Sequence, residues 1–175
     1  TTTDTLLIDI NPLPTLTNGG DQTICQGDTV QIEAFGGITF NWISPDSIND
    51  PSISNPLVWP DTTTICQVLV SDVNTCEDTT EITVFVNPKP NIDAGPDQFI
   101  CIGDSTSLSA SGNAITYTWD NGVLDGVNFL VSSDQQYILT GTDANNCVNS
   151  DTVSVNVIQL PNIDAGNDAS ILSLI

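Results

Sequence analysis

Apolar and polar residues alternate in short stretches along most of the chain. The segments TVQIEA (29–34), EITVFV (81–86), STSLSA (105–110) and DTVSVNV (151–157) place every second residue, either apolar or a threonine, on one face. Such period-2 patterning with β-branched residues is typical of half-buried strands. Gly, Pro, Asn and Asp interrupt the pattern about every eight to twelve residues, and sustained helical spacing is absent. The pattern predicts an all-β fold, a sandwich or barrel of many short strands.

The chain contains two copies of this pattern. The copies are offset by 76 residues at their first shared cysteine (Cys25 and Cys101) and by 71 at their second (Cys76 and Cys147). Their tryptophans are 77 residues apart, so the first copy holds six more residues between its tryptophan and its second shared cysteine, around SPDSIND (44–50). An internal repeat of this length sets the architecture before any single element does.

The proline-rich stretches NPLP, NPKP and IQLP mark the junctions between copies. We predict one complete repeat over 14–89 and another over 90–160. Residues 1–13 match the last strand of a preceding repeat plus a linker, and 161–175 match the first strand of a following domain. The chain is therefore interpreted as an internal section of a longer tandem array, which semi-rigid proline-rich linkers would hold extended.

A tryptophan on the third strand of each copy is the most specific indication of the fold. FNW and YTW end in Trp42 and Trp119, at the place where immunoglobulin-like sandwiches bury a tryptophan between two sheets. Tyr137 stands where such domains carry a tyrosine corner, while Leu108 and Leu139 replace the central cysteine pair of antibody domains. We predict tandem immunoglobulin-like β-sandwich domains in an extended array.

The charge is one-sided, with 22 acidic residues, one Lys, no Arg, no His and a formal net charge of −21. Such a chain is repelled by nucleic acid and by anionic membrane surfaces. Without His it cannot build Ser-His-Asp or Cys-His centres or His-containing zinc sites. Apolar runs stay well short of the ~20 residues that span a bilayer. Paired aspartates could in principle hydrolyse glycosides, but repeats this small leave little room for a cleft, and we predict no enzyme.

Five cysteines without a C-x-x-C pair fit an oxidising compartment and structural bridges better than redox catalysis. We expect an extracellular or cell-surface protein.

Together these residues resemble a known family. The pattern AGPDQFICIGDSTSLSASG…YTW…YILTGTDANNCVNSDTVSVNV is similar to the PKD-like or Ig-like repeats of very large surface proteins exported by type IX secretion, which include gliding adhesins and extracellular appendages. The resemblance covers both complete repeats and implies a secreted or cell-surface, mostly structural role. It also implies cysteine pairing within a repeat, Cys25 with Cys76 and Cys101 with Cys147, leaving Cys66, which stands in place of the usual tyrosine.

Immunoglobulin-like geometry favours other pairings as well. The turn that holds Cys101 and the loop that holds Cys147 are expected at opposite ends of a sandwich, whereas a disulfide needs Cα atoms ~4.4–6.8 Å apart. Cys66 begins the sixth strand at the same end as Cys25, so a Cys25–Cys66 bond is one alternative. A Cys25–Cys147 bond across the junction is another. With five cysteines, one is free or bonded outside the chain.

The aspartates allow a calcium site. In a serial array the loop with Asp143 and Asn145 would lie near Asp93 and Asp97, and oxygen-only clusters suit Ca²⁺. The equivalent set in the first repeat is Asp72, Asn74, Asn18 and Asp21. The alternative is that these residues cap turns and keep the surface soluble, with no cofactor bound.

Trp59 has no counterpart in the second repeat. It is a candidate for glycan contact by stacking on a sugar, and the alternatives are a core residue or a junction contact.

The predicted function is a non-catalytic spacer and adhesive stalk whose partners are neighbouring repeats. One alternative is the shaft subunit of an extracellular filament, a homo-oligomer, although few exposed apolar residues are expected to form a lateral interface. The other is a set of carbohydrate-binding accessory repeats of a secreted enzyme.

Overall fold

The computed structural model describes residues 4–6, 8–163 and 166. Within them the protein consists of sixteen β-strands with no helix, and no helix that could span a bilayer occurs there. Contacts divide the chain into two compact units. Unit 1 runs to Lys89 and also includes Ala144–Cys147; unit 2 comprises Pro90–Asp143 and resumes at Val148.

Each unit contains eight strands, and strand n of unit 1 corresponds to strand n + 8 of unit 2. Those of unit 1 are β1 (Thr17–Asn18), β2 (Gln22–Cys25), β3 (Val30–Gln31), β4 (Ala34–Phe35), β5 (Thr39–Trp42), β6 (Leu57–Val58), β7 (Thr64–Ser71) and β8 (Glu77–Asn87). Those of unit 2 are β9 (Ile92–Asp93), β10 (Gln98–Cys101), β11 (Ser105–Thr106), β12 (Ser111–Gly112), β13 (Thr116–Trp119), β14 (Phe129–Leu130), β15 (Gln135–Thr142) and β16 (Val148–Ile158).

The strand order is the same in both units. One sheet has four strands, β2-β8-β7-β5 in unit 1 and β10-β16-β15-β13 in unit 2. In this sheet the pairs β2–β8 and β10–β16 are parallel, and the remaining neighbouring pairs are antiparallel. Short antiparallel pairs accompany it: β1 with β4 and β3 with β6, then β9 with β12 and β11 with β14. The predicted all-β, immunoglobulin-like sandwich class is confirmed.

Alternation along the long strands builds each core. On β7, Cys66, Val68 and Val70 are fully buried while the residues between them are more exposed. On β8, Ile82 and Val84 face the same core. In a strand, successive side chains point to opposite faces, so one face supplies the core and the other meets solvent.

Both tryptophans are buried as predicted. Trp42 is 4% exposed and its Nε1–H donates to the carbonyl oxygen of Ile53 at 2.9 Å. Trp119 is 8% exposed and its Nε1–H donates to Oδ1 of Asp125 at 3.1 Å. Each indole thus satisfies its one polar atom at the edge of an apolar core, as a buried tryptophan requires.

Two equivalent glycines allow close approach of the chain in each unit. Gly36 and Gly112 have φ of 108° and 129°. A Cβ at these positions would collide with the carbonyl oxygens of Thr15 and Asn91. Only glycine combines this backbone conformation with such contact.

The cores are filled differently at matched positions. Unit 1 carries Cys66 and Val58 where unit 2 carries Tyr137 and Phe129. The two rings of unit 2 lie edge to face, with centroids 5.3 Å apart. In unit 1, Ile48 from the six-residue insertion forms a β-bridge with Val58 and packs against the core.

Candidate functional site: the turn and loop cysteines

Each unit carries a cysteine in the same tight turn after its second strand. In residues 25–28 and 101–104, with the pattern C-x-G-D, the N–H of the aspartate donates to the cysteine carbonyl oxygen at 3.0 and 3.1 Å. The third residues, Gly27 and Gly103, have φ of 85° and 90°. A four-residue turn with positive φ at its third position is type II, which explains the glycine.

The other shared cysteine ends a loop between the two longest strands of each unit. Between β7 and β8, the Asp72 carboxylate accepts the N–H groups of Asn74 at 2.8 Å and Cys76 at 2.9 Å. Thr75 has a φ of 63°, and Asn146, at the matching place between β15 and β16, has 62°. The sequence pattern D-x-N-x-C therefore produces the same left-handed residue before the cysteine in both loops.

One disulfide joins these two kinds of element. Cys25 of the first turn is bonded to Cys147 of the second loop, with Cα atoms 5.5 Å apart and a sequence separation of 122. The loop segment Ala144–Cys147 groups with unit 1. Cys66, Cys76 and Cys101 are free thiols.

The pairings within one repeat that the resemblance implied are not formed. Cys25 lies opposite Asn87, the last residue of β8, whereas Cys76 directly precedes the first. An eleven-residue strand is about 33 Å long, several times the reach of a disulfide. Cys101 and Cys147 are likewise at opposite ends of β16.

The Cys25–Cys66 alternative is also not formed. Cys66 lies opposite Ile82 and Cys25 opposite Asn87, which places them five residues apart along β8, about 16 Å. Cys66 is fully buried, and burial raises the pKa of its thiol to about 11. Since the thiolate is the reactive form, Cys66 is a small apolar core residue.

Asp93 and Asp97 of the calcium prediction accept hydrogen bonds from other residues of unit 2. Asp93 Oδ1 accepts the N–H of Gly95 at 2.9 Å, and Oδ2 accepts the hydroxyl of Ser111 at 3.2 Å. Asp97 Oδ1 accepts the N–H of Ser154 at 2.8 Å. Asp143 directly follows β15 and stands in the same loop as Asn145.

The equivalent residues of the first repeat are engaged in the same way. Asp21 Oδ1 accepts the N–H of Thr83 at 2.8 Å. Asn18 Oδ1 accepts the N–H of Gly20 at 3.0 Å, and its Nδ2 donates to Thr80 Oγ1 at 2.9 Å. Over the described ranges, no three acidic or cysteine side chains are grouped to hold a metal ion. Calcium binding stays a prediction.

Asp151 was not singled out from the sequence. Its Oδ2 accepts the N–H of Ala94 at 2.8 Å. Backbone hydrogen bonds from Ala94 and then Thr152 lower the pKa of this carboxyl group. No spacing or motif marks it, because the matching residue of the first repeat is Thr80.

Trp59 follows β6 and is 43% exposed. Its backbone N–H donates to the carbonyl oxygen of Ser47 at 3.1 Å. The alternative that Trp59 is a core residue is therefore wrong, and its indole is available to solvent.

The expectation of few exposed apolar residues is also wrong. Phe99, Ile115, Leu124 and Leu130 of unit 2 are 68–73% exposed. An open groove of about 460 Å³ is lined by residues that include Leu124, Leu130 and Tyr137. Solvent-facing positions of this fold thus carry more apolar surface than the threonine-rich strands suggest.

No protein-family model and no curated protein matches the chain. Among solved structures it is similar to the insect immune protein hemolin, described as having a domain arrangement with implications for homophilic adhesion, at 16% identity and a TM-score of 0.48. That match covers 90% of this chain and 49% of hemolin, so the chain spans about half of that protein. It is also similar to extracellular domains 3–5 of Drosophila OTK (12% identity, TM-score 0.39, covering 82% and 62%) and to the I-band fragment I67–I69 of titin (12%, 0.38, covering 85% and 67%).

Proposed function

We propose that this chain is a load-bearing spacer and adhesive stalk section of a long secreted cell-surface protein, built from tandem repeats and without catalytic activity. The observation that carries the proposal is the Cys25–Cys147 bond, whose sequence separation is 122. It closes one covalent loop that holds most of both repeats. The same strand order in both units supports a role in which repeats are added in series.

A bond placed in this way decides how the chain responds to tension. Force applied between the two ends passes through the disulfide and bypasses the residues between the two cysteines. The sequence separation of 122 corresponds to about 40 nm of extended chain. As long as the bond is intact, unfolding inside the loop cannot lengthen the molecule. A spacer that holds an adhesive tip away from a cell surface needs this property.

Single-molecule stretching between the chain ends tests the proposal. Under oxidising conditions the extension at full unfolding should stay short, and a reductant should release about 40 nm more. Cys147→Ser should behave as the reduced protein without reductant. Cys101→Ser, which removes an exposed free thiol, is the matched control and should stay short when oxidised. Full extension of the oxidised wild-type protein would contradict the proposal.

The cell-surface location belongs to the same proposal. Structural disulfides persist in oxidising surroundings and are rare in reducing cytosol. The resemblance to type IX-exported surface repeats agrees with such surroundings. Trapping thiols with an alkylating agent in intact cells should leave Cys25 and Cys147 unlabelled. Labelling of both would place the protein in a reducing compartment and contradict the proposal.

Carbohydrate binding is a second candidate, which the exposed indole of Trp59 favours. A glycan array should then show binding that Trp59→Ala abolishes. Phe99→Ala removes another exposed aromatic ring, from unit 2, and should leave binding unchanged. If both variants bind like the wild type, the Trp59 indole has no role in glycan contact.

Side-by-side assembly in a filament is a third candidate, favoured by the exposed apolar residues Leu124 and Leu130. Sedimentation of the reduced protein should show association that Leu130→Asp abolishes. A monomer at all concentrations would exclude lateral assembly of this section.

A further inference from the structure

The two remaining shared cysteines stand at the positions of the bonded pair. Cys101 occupies in unit 2 the turn position that Cys25 occupies in unit 1, and Cys76 occupies in the first loop the position of Cys147 in the second. Both are free thiols. The chain thus holds one completed turn–loop bond and the two complementary halves of another.

The backbone around each free thiol matches that of its bonded counterpart. The turns have the same type II hydrogen bond, and glycine follows at matching φ, 85° in the first and 90° in the second. The loops share the left-handed residue before the cysteine. Cys25 and Cys101 also end their strands at matching register positions, opposite Asn87 and Ile158.

Burial differs in the direction that a missing partner predicts. Cys147 is fully buried, whereas Cys76 at the matching loop position is only half-buried. Cys25 is half-buried, whereas Cys101 at the matching turn position is exposed. Each free thiol is more accessible than its bonded equivalent, so both can be reached by a partner and by an oxidant.

We propose that Cys101 and Cys76 are the two halves of a repeating disulfide between a turn cysteine and a loop cysteine, here called the staple. Cys101 bonds to the loop cysteine of a further copy of this repeat, and Cys76 bonds to the turn cysteine of another. The partner is therefore a D-x-N-x-C loop on one side and a C-x-G-D turn on the other. Between separate copies of this chain, the same chemistry joins Cys101 of one molecule to Cys76 of the next.

The chemistry is thiol–disulfide exchange with a small disulfide such as oxidised glutathione. The thiolate of Cys101 attacks one sulfur of glutathione disulfide, forms a mixed disulfide and releases one glutathione thiolate. The Cys76 thiolate of the partner then attacks the Cys101 sulfur and releases the second. Two protein thiols are oxidised, one glutathione disulfide is reduced to two glutathione molecules, and the protons of the protein thiols pass to the released thiolates.

A series of such bonds would overlap along an array. The loop closed by Cys25 and Cys147 contains Cys101, from which the next loop would start before the first one ends. Every residue between the first turn cysteine and the last loop cysteine of an array would then lie inside at least one closed loop. This mechanical consequence rests on the proposed load-bearing function, whereas the bond itself does not.

The test uses the 175-residue chain at high concentration in a glutathione redox buffer, followed by alkylation and non-reducing electrophoresis. We expect a reductant-sensitive ladder of oligomers. Endoproteinase Asp-N releases each cysteine in a peptide of its own, which makes the bonds readable by mass spectrometry. These peptides are 21–27 (Cys25), 61–71 (Cys66), 72–77 (Cys76), 97–103 (Cys101) and 143–150 (Cys147).

Two variants sharpen the result. Cys101→Ser and Cys76→Ser should each remain monomeric alone, because each keeps only one half of the staple. Mixed together they should form a dimer and no higher oligomer. Cys66→Ser is the control, since its thiol is buried, and it should keep the ladder.

The distribution of disulfide bonds decides whether Cys101 and Cys76 pair selectively. Random coupling of two accessible thiols would make Cys101–Cys76 bonds as abundant as the two symmetric bonds together. A clear excess of Cys101–Cys76 supports the staple. A random distribution, dimers of either variant alone, or a wild-type chain that stays monomeric would overturn it. Such a failure leaves the stretching result for the Cys25–Cys147 bond untouched, so the two proposals fail separately.

Discussion

Units 1 and 2 share strand order and register but fill their cores in different ways. At one pair of matched positions unit 1 has Cys66 and Val58, and unit 2 has the larger Tyr137 and Phe129. Unit 1 compensates with its insertion, from which Ile48 packs onto the core. Cores tolerate exchanged side chains when the total volume is kept. The comparison shows that the volume can come from a loop as well as from a strand.

The insertion is also held by its own hydrogen bonds. The N–H of Asn49 donates to the carbonyl oxygen of Leu57 at 3.0 Å, and Asn49 Oδ1 accepts the N–H of Leu57 at 2.8 Å. Ser47 accepts the N–H of Trp59 at 3.1 Å. In unit 2 the shorter connection leaves an open groove beside Tyr137. In unit 1, Ile48 of the insertion packs onto the core at the place where unit 2 has the aromatic pair.

The largest loss of stability is expected from removing the buried tryptophan that both units share. Trp42→Ala and Trp119→Ala should each lower the free energy of unfolding by about 3–5 kcal/mol, because each removes a buried indole from its core. Hydrogen exchange resolved by peptide should show the loss in the unit that carries the change. Trp59→Ala is the control and should cost under about 0.5 kcal/mol. Equal losses in all three variants would mean that burial of the indole does not determine the loss of stability.

A smaller loss of stability is expected from exchanging the core residues that differ between the units. Tyr137→Cys should destabilise unit 2 by about 2–4 kcal/mol, since no insertion is present to fill the cavity. The reverse change, Cys66→Tyr, should overfill unit 1 and cost about 1–3 kcal/mol. Denaturant unfolding measures both. If Cys66→Tyr stabilised unit 1, the insertion would not be filling that space.

The acid response should distinguish the units as well. Hydrogen bonding lowers the pKa of Asp151 below its ordinary value, so its contribution to unit 2 is fully present above about pH 4 and is lost as the pH falls through the folded pKa. The matching contact of unit 1, Asn18 to Thr80, carries no charge and should not respond.

Thermal unfolding between pH 7 and pH 2 measures this difference. Asp151→Asn should flatten the pH dependence of unit 2. Thr80→Ala in unit 1 is the control and should cost the same at every pH. A variant with Asp151→Asn that loses stability in acid as steeply as the wild type would show that this carboxylate does not carry the response.

The last prediction concerns calcium, whose effect on stability depends on the concentration of the ion. If Asp93, Asp97, Asp143 and Asn145 bind Ca²⁺, the melting temperature should rise more in CaCl₂ than in NaCl of equal ionic strength. At a hundredfold excess over the dissociation constant the gain is about 2.7 kcal/mol. Asp97→Asn should abolish the calcium-specific part.

That substitution also weakens the contact with Ser154, which both salts would report alike. Asp134→Asn is therefore the matched control, because Asp134 Oδ1 accepts the N–H of Val157 at 2.7 Å and lies outside the candidate set. Equal melting curves in the two salts would mean general screening of charge, with no bound ion.

The strands, the repeat and the buried tryptophans follow from the sequence, because their causes are local. Alternation decides which face of a strand is buried, and the C-x-G-D turn needs only a glycine at positive φ. The net charge of −21 leads to the expectation of no nucleic-acid partner without any coordinates. The fold class, Trp42 and Trp119 could therefore be predicted from the chain alone.

The pairing of the cysteines was decided only by the tertiary structure. Cys25 has four possible partners in the sequence, and the pairing that the family resemblance implies is with Cys76, which lies at the far end of β8. A disulfide depends on Cα atoms ~4.4–6.8 Å apart, and that distance is set by where folding brings distant segments. The sequence offered the bond to Cys147 only as one of several alternatives. The bond and the Asp151 contact join residues far apart in the sequence, so only the tertiary structure could select them.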